Sequence, residues 1–346
     1  MTRTSTANTR ELTLAQAYRL RWKRRRLLWR SFRSRHGLSS VADRTNQIKP
    51  RDILIVMTVR NEMSRLPYFL QYYRGLGVGH FLVIDNDSTD GTDVMLAKQP
   101  DVSLWQTSDS YRSARFGLNW MTWLQRKYAH NHWTLMVDAD ELLVYAHHDT
   151  RPLPELTAWL EARGTTVFGA LMLDLYPKGA LNEQSYTPGA DPTQTIDWFD
   201  AGPYRSQRQM PLGNLWTQGG MRERVFFAIE PRRSPTLNKI PLVKWHRSYA
   251  YVNSCHSILP PHLNRAYDGP GDTHASGVLL HTKFLPEIVS KSAIEKERAQ
   301  HFHSPQEFDG YYDSITAEPE IWTDSSTRFR NWQQLEELGL MSSGGW

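Results

Sequence analysis

"HWTLMVDADELLVY" (residues 132–145) sets an apolar run, Leu135-Met136-Val137, directly against three carboxylates, Asp138, Asp140 and Glu141. A continuous apolar run of this kind is the mark of a strand covered on both faces. Polar groups at its end need a reason. A single aspartate there opens a turn or caps the next helix. Asp-x-Asp adds another reading. Its first and third side chains leave an extended backbone on the same side, and two carboxylates held that close repel each other unless a divalent cation lies between them.

The segments before this stretch alternate strand and helix. "RDILIVMTVRNE" (51–62) and "HFLVIDNDSTDGT" (80–92) each run from apolar to polar, as buried parallel strands do where their C-terminal ends face a site. Between them, Leu66, Phe69, Leu70 and Tyr73 have helical spacing. A short helix over Asp93–Lys98 and a strand at "VSLWQT" (102–107) follow. "ARFGLNWMTWLQRKYAHNH" (114–132) then reads as one amphipathic helix with Phe116, Trp120, Trp123 and Leu124 on its inner face, and "WTLMVDADE" (133–141) as the fourth strand. Four strands joined by helices predict a parallel sheet with right-handed crossovers, an α/β fold with its ligands beyond the carboxyl ends of the strands. Three polar clusters fall there: Arg60-Asn61-Glu62, Asp85-Asn86-Asp87 and Asp138-x-Asp140.

The 346 residues are 40% hydrophobic and 22% charged, enough to bury a sizeable core. With Cys255 alone, neither an internal disulfide nor a Cys-rich zinc site is available. Residues 1–36 hold eleven Lys or Arg against Glu11, so within the total of +5 that segment carries ten net positive charges and the rest five net negative ones. No apolar stretch reaches the roughly 18 residues of a membrane span, and no signal-like apolar core opens the chain, so a cytoplasmic location is expected. Leu14, Tyr18, Trp22, Trp29 and Phe32 share one face of a basic helix. Such a helix suits the inner, anionic face of the cell membrane through residues 10–36, packing on the chain's own main domain, or contact with nucleic acid, although no specific nucleic-acid partner is expected.

"TVRNE", "VIDNDSTDGT", "ARFGLNW" and "VDADE", in this order and spacing, resemble the nucleotide-sugar-binding half of family 2 type glycosyltransferases of the GT-A fold, a Rossmann-like sheet flanked by helices. The likeness extends to a bacterial subgroup with R-N-E, D-A-D-E and a late L-L-H-x-K-F, here "LLHTKF" (279–284). The resemblance implies a nucleotide-sugar donor and a glycan or lipid-linked acceptor. It also implies Asp138 and Asp140 as ligands of Mn²⁺ or Mg²⁺, and Asp85 and Asn86 on the base and ribose. Arg60, Asn61 and Glu62 would lie beside the nucleotide and Arg115 near the donor. Asp87 stands where the wider pattern has Gly. The chain divides on this reading into a basic helix and linker (1–48), a donor half (49–145), an acceptor half (146–310) and a C-terminal cover (311–346).

His281 follows an apolar run and offers a third metal ligand, which as an imidazole favours Mn²⁺; Lys283 is placed near the phosphates. "TTVFGALMLDLYP" (165–177) reads as a strand ending in Asp174, the preferred base for deprotonating an acceptor hydroxyl in an inverting transfer; Glu223, Asp200 and His256 are also eligible. Trp198, Tyr204, Trp216 and Trp245 offer sugar-stacking faces or simply a second core. An amphipathic helix is expected over 285–302. The absence of glycine in "TVRNEMSR" weighs against a nucleotidyltransferase, which would carry a Gly-rich phosphate loop there.

Overall fold

The computed structural model describes residues 12–288, 315 and 319–346, so the helix expected over 285–302 lies largely outside the described residues. In chain order the strands are β1 (Ser39–Ala42), β2 (Ile53–Val59), β3 (Val78–Asp85), β4 (Val102–Gln106), β5 (Trp133–Leu135), β6 (Glu141–Val144), β7 (Val167–Asp174), β8 (Trp198–Phe199), β9 (Tyr204–Gln209), β10 (Asn214–Gly219), β11 (Asn238–Lys244), β12 (Ala250–Tyr251), β13 (Ile258–Leu259), β14 (Ser276–His281) and β15 (Thr327–Arg328). The helices α1 (Leu14–Ser34), α2 (Leu66–Gly75), α3 (Thr92–Ala97), α4 (Leu118–Tyr128), α5 (Leu153–Ala162) and α6 (Gly220–Phe226) accompany them, with a last short helix at Trp332–Glu337.

Nine strands form one sheet in the order β1-β4-β3-β2-β5-β11-β7-β14-β6. Strands β2 to β5 run parallel, β7 and β14 run parallel to each other, and β11 lies antiparallel to both β5 and β7. Six strands therefore point one way, while β11 and the edge strands β1 and β6 oppose them. Strands from both sides of residue 145 belong to this sheet.

The period of two along β2 explains its unbroken apolar run. Ile53, Ile55, Met57 and Val59 pack with Leu66, Phe69, Leu70 and Tyr73 of α2 and with Leu153, Leu156 and Leu160 of α5. Leu54 and Val56 face the other way, onto Leu118, Trp120, Met121 and Leu124 of α4. Both faces are covered, so neither can be polar. Burying a side chain of this size contributes about 1.5–3 kcal/mol.

Two expectations need correction. The helix read over 114–132 begins at Leu118, because Arg115, Phe116 and Gly117 all have positive φ, a backbone conformation that no right-handed helix contains. Phe116 accordingly sits in the preceding turn rather than on the inner face of α4. The strand read over 133–141 stops at Leu135. The Met136 N–H donates to Pro241 O (2.8 Å) on the reversed strand β11. Residues 138–141 close a turn through the Glu141 N–H and Asp138 O (3.1 Å), and β6 then runs along the far edge of the sheet. The opening stretch thus crosses over the sheet's carboxyl rim instead of ending on it.

Helix α1 starts with a capping box between Thr13 and Gln16 and docks on α4. Leu20 and Leu27 are buried with Ala250 and Leu259, and Arg126 donates to Leu28 O (3.1 Å). The packing alternative for this helix therefore holds for one of its faces. No described helix is long and apolar enough to cross a membrane.

Candidate active site

Strand register assembles the acidic centre. His281, the last residue of β14, is the register partner of Glu141 on β6 and of Asp174 on β7. One histidine therefore stands between two acids that lie 33 residues apart in the chain. Its Nδ1 is 2.6 Å from Asp174 Oδ1, and its Nε2 is 3.3 Å from Asp140 Oδ2. Asp140 is fixed from behind: its carbonyl accepts from the Thr282 N–H (2.7 Å) and hydroxyl (3.0 Å). Tyr73 steadies the following strand, its hydroxyl donating to Glu141 O (2.8 Å) and accepting from the Leu143 N–H (3.1 Å).

Asp140, Glu141 and His281 offer ligand atoms that all lie within 4.8 Å of one another, a group able to hold a metal ion. The three are not equally free. Glu141 is buried against the Lys239 ammonium, while Asp138, with 59% of its side chain exposed, lies 3.3 Å from the same ammonium. Lys239 compensates the inner carboxylate and leaves Asp138 toward solvent. Burial pushes the Glu141 carboxyl up against the opposing pull of Lys239, and that lysine, despite its own burial, is kept charged by the acids around it.

Burial would also raise Asp140, but His281, Arg65 and Lys283 outweigh it and hold the carboxyl well below its usual range. Arg65 is itself buried, 3.2 Å from Glu62. Behind His281, the Arg222 guanidinium reaches Asp174 Oδ1 at 2.5 Å and His281 Nδ1 at 3.2 Å. Against the upward push of burial, Arg222 and His281 hold Asp174 down to about 2. Burial would lower His281, yet the carboxylates of Asp140 and Asp174 raise it.

The second cluster closes around the end of β3. Asn61 adopts a left-handed conformation (φ 53°), which asparagine tolerates better than most residues. Its N–H donates to Ser88 Oγ (2.9 Å) and its side-chain oxygen accepts from the Thr89 N–H (2.7 Å). The Glu62 N–H donates to Thr92 Oγ1 (3.0 Å), and Arg60 donates to Asn86 O (2.8 Å) and lies 3.5 Å from Asp87. The Asn86 amide donates to the carbonyls of Thr107 and Asp109 (3.0 and 3.1 Å). Asp85 is fully buried; its Oδ2 accepts from the Ser88 N–H (3.1 Å), while Oδ1 has no partner among the described residues. A buried carboxylate oxygen left unpaired is costly, so this one points to a missing donor.

Other expected residues are engaged elsewhere. Arg115 donates to Val252 O (2.6 Å) and Tyr251 O (3.3 Å). Burial, with Arg30 nearby, lowers it to about 10. Glu223 accepts from Arg205 (2.5 Å) and Ser234 (3.1 Å), and Asp200 is chelated by Arg224 and bonded by Tyr176. Trp245 is fully buried in the core, whereas Trp198, Tyr204 and Trp216 are half-buried. Sequence reasoning missed Arg65, Arg222 and Lys239. Lys239 had a signal, a cation inside the otherwise apolar run "NKIPLV" of a covered strand; Arg222 and Arg65 had none.

No protein-family model matches the chain, and no curated protein matches it. Among solved structures it is similar to apo UDP-glucose pyrophosphorylase, at 8% sequence identity over 71% of this chain and 99% of that one, with a TM-score of 0.29.

Proposed function

We propose that this chain is a metal-dependent glycosyltransferase of the GT-A type, moving a sugar from a nucleotide-sugar donor to a glycan or lipid-linked acceptor. The observation that carries the reading is the convergence of Asp140 and His281 at the carboxyl rim of the sheet, 3.3 Å apart and each braced by groups of its own. Asp140 and His281 would hold the ion, with the exposed Asp138 completing the set; carboxylate oxygens and one imidazole suit Mn²⁺. When bound, the ion supplies charge neutralisation for the departing diphosphate. The residues fit that role because the Asp174 carboxylate holds His281 Nδ1 and so turns Nε2 toward Asp140, the outer support that metal-binding histidines generally have.

Arg60, Arg65 and Lys283 add positive charge for the phosphates. Asp85 Oδ1 accepts a hydroxyl or ring N–H of the nucleoside, which supplies its missing partner. Asp174, tied to Arg222 and held down to about 2, has too little proton affinity for a base and instead positions His281. Glu223, on the same short helix as Arg222, is itself held by Arg205 and Ser234 and is no freer to take a proton.

The test is a panel of nucleotide sugars, with and without Mn²⁺, read by thermal shift and by release of the nucleoside diphosphate. One donor is expected to stabilise the protein only with the metal, by about 2.7 kcal/mol at 100 times its dissociation constant. Asp140→Ala is expected to abolish both signals. Binding without turnover for every donor and acceptor tried would leave a nucleotide-binding protein, and metal-independent binding unchanged in Asp140→Ala would overturn the site.

A further inference from the structure

We infer that α1 is an amphipathic docking helix that lays the protein on an anionic lipid surface. The helix has two opposed apolar faces, and the fold uses only one. At about 100° per residue, Leu20, Leu27 and Ser31 share one side, and these are its buried residues. Tyr18, Trp22 and Trp29 fall on the side roughly opposite, with Leu14 at its margin. Those four are 61%, 53%, 59% and 91% exposed, so the aromatic stripe is not core.

The rings of Tyr18 and Trp22 meet each other edge to face, and Trp29 stacks on Phe32, whose far side touches Trp123 of α4. The stripe is therefore anchored at one end to the main domain and open along the rest. Arg19, Arg21, Arg25, Arg26 and Arg33 flank it, while Lys23, Arg24 and Arg30 stand nearer the buried side, with no acid anywhere in the helix. None of the eight makes an ion pair among the described residues, whereas Arg65, Arg74, Arg208, Arg222 and Arg224 elsewhere in the fold all do. A helix that carries eight uncompensated cations and exposes two tryptophans, a tyrosine and a leucine in one line has the chemistry of the interface between lipid headgroups and acyl chains. Aromatic rings settle at headgroup depth, and the flanking guanidinium groups meet anionic headgroups.

A phosphate track on nucleic acid would also attract the cations, but it has no use for Leu14 and the aromatic ridge at the centre of the charged face. The opposite face is held by Leu20 and Leu27 against Ala250 and Leu259 and by the bond from Arg126 of α4 to Leu28 O. Docking would thus set the orientation of the whole sheet relative to the surface, not merely tether it.

The experiment is co-sedimentation of the full-length protein with vesicles of phosphatidylcholine alone or with 30% phosphatidylglycerol, alongside binding to a single-stranded and a duplex RNA. Binding is expected only to the anionic vesicles, weakened about five-fold for each of Arg25→Gln and Arg26→Gln and by high salt. It is expected to fall at least ten-fold in Trp22→Ser/Trp29→Ser. Because all four side chains are exposed, the thermal unfolding midpoint should shift only slightly, by the lost stacking of Trp29 on Phe32, which separates lost docking from lost fold. Equal binding to neutral vesicles, no effect of the tryptophan changes, or binding to RNA but not to vesicles would each overturn the inference. The readout is independent of any transferase activity, so it stands or falls apart from the proposed function.

Discussion

Replacing Asp174 with asparagine takes the anion out of a buried chain that runs from Arg222 through Asp174 to His281. The side chains of Arg222 and Asp174 are 9% and 4% exposed, so water does not screen the loss. The carboxyl falls from an ordinary 3.8 to about 2 in the fold. That difference corresponds to about 2–3 kcal/mol at neutral pH. Removing one member of a buried ion pair costs about 3–5 kcal/mol, which sets the upper end of the expected loss. The sign follows from the direction of the shift. A carboxyl depressed in the folded state contributes fully above its unfolded value of 3.8, and the contribution disappears as pH falls through about 2. Urea unfolding of parent and Asp174→Asn proteins should therefore differ by about 2–5 kcal/mol at pH 7, with the carboxyl's share dropping to roughly half at pH 3. In the same variant Mn²⁺ affinity should drop about 10–100-fold, since His281 loses the support that aims its Nε2. A difference under about 1 kcal/mol at pH 7, or one that does not shrink in acid, would refute the claim that this network is a charged structural brace.

Three further outcomes follow from other positions. Gly117→Ala should destabilise by about 1–3 kcal/mol in a thermal melt, because φ there is +76° and the new Cβ would stand 2.6 Å from Thr58 Oγ1. His256 is half-buried with its Nδ1–H on Asn238 O (2.6 Å), and desolvation with Lys239 lowers it from 6.5 to about 4. Kept neutral by the fold, it contributes stability above 6.5 that is lost as pH falls toward 4, about 3 kcal/mol at most, and His256→Gln should flatten that part of the stability profile. Asp85→Asn should weaken binding of the nucleoside portion by about ten-fold, measured by calorimetry with the free nucleoside diphosphate, without a comparable loss of Mn²⁺ binding.

How far the sequence carried these conclusions varies with the length scale of each interaction. The covered strands were legible because a run such as Ile53 to Met57 can be apolar at every position only if both faces are buried, and the packing of β2 against α2 on one side and α4 on the other shows it. The α2 face was legible for the same local reason, its four buried residues being the four read from helical spacing. The break in the Asp-x-Asp strand was not legible, because its cause is β11, which inserts beside β5 from a point about a hundred residues later. A local pattern holds no record of that neighbour.

The candidate site shows the same limit more sharply. His281 and Asp140 were read as partners from motifs alone, but the brace formed by Asp174 and Arg222 depends on register across β6, β14 and β7, which no spacing encodes. Helix α1 shows the converse. Its aromatic period was legible and placed those residues on one face, yet periodicity cannot say which of two apolar faces meets the protein. Leu20, between two arginines, and Leu27, next to Arg26, took that part, because burying two leucines against Ala250 and Leu259 needs no tryptophan N–H to be satisfied. The tryptophans were thereby left outward, where an indole can bury its ring and still keep its N–H at water. That division of labour between the two faces is what makes the exposed stripe informative: had Trp22 and Trp29 been packing residues, the same sequence pattern would describe an ordinary surface helix with a charged back.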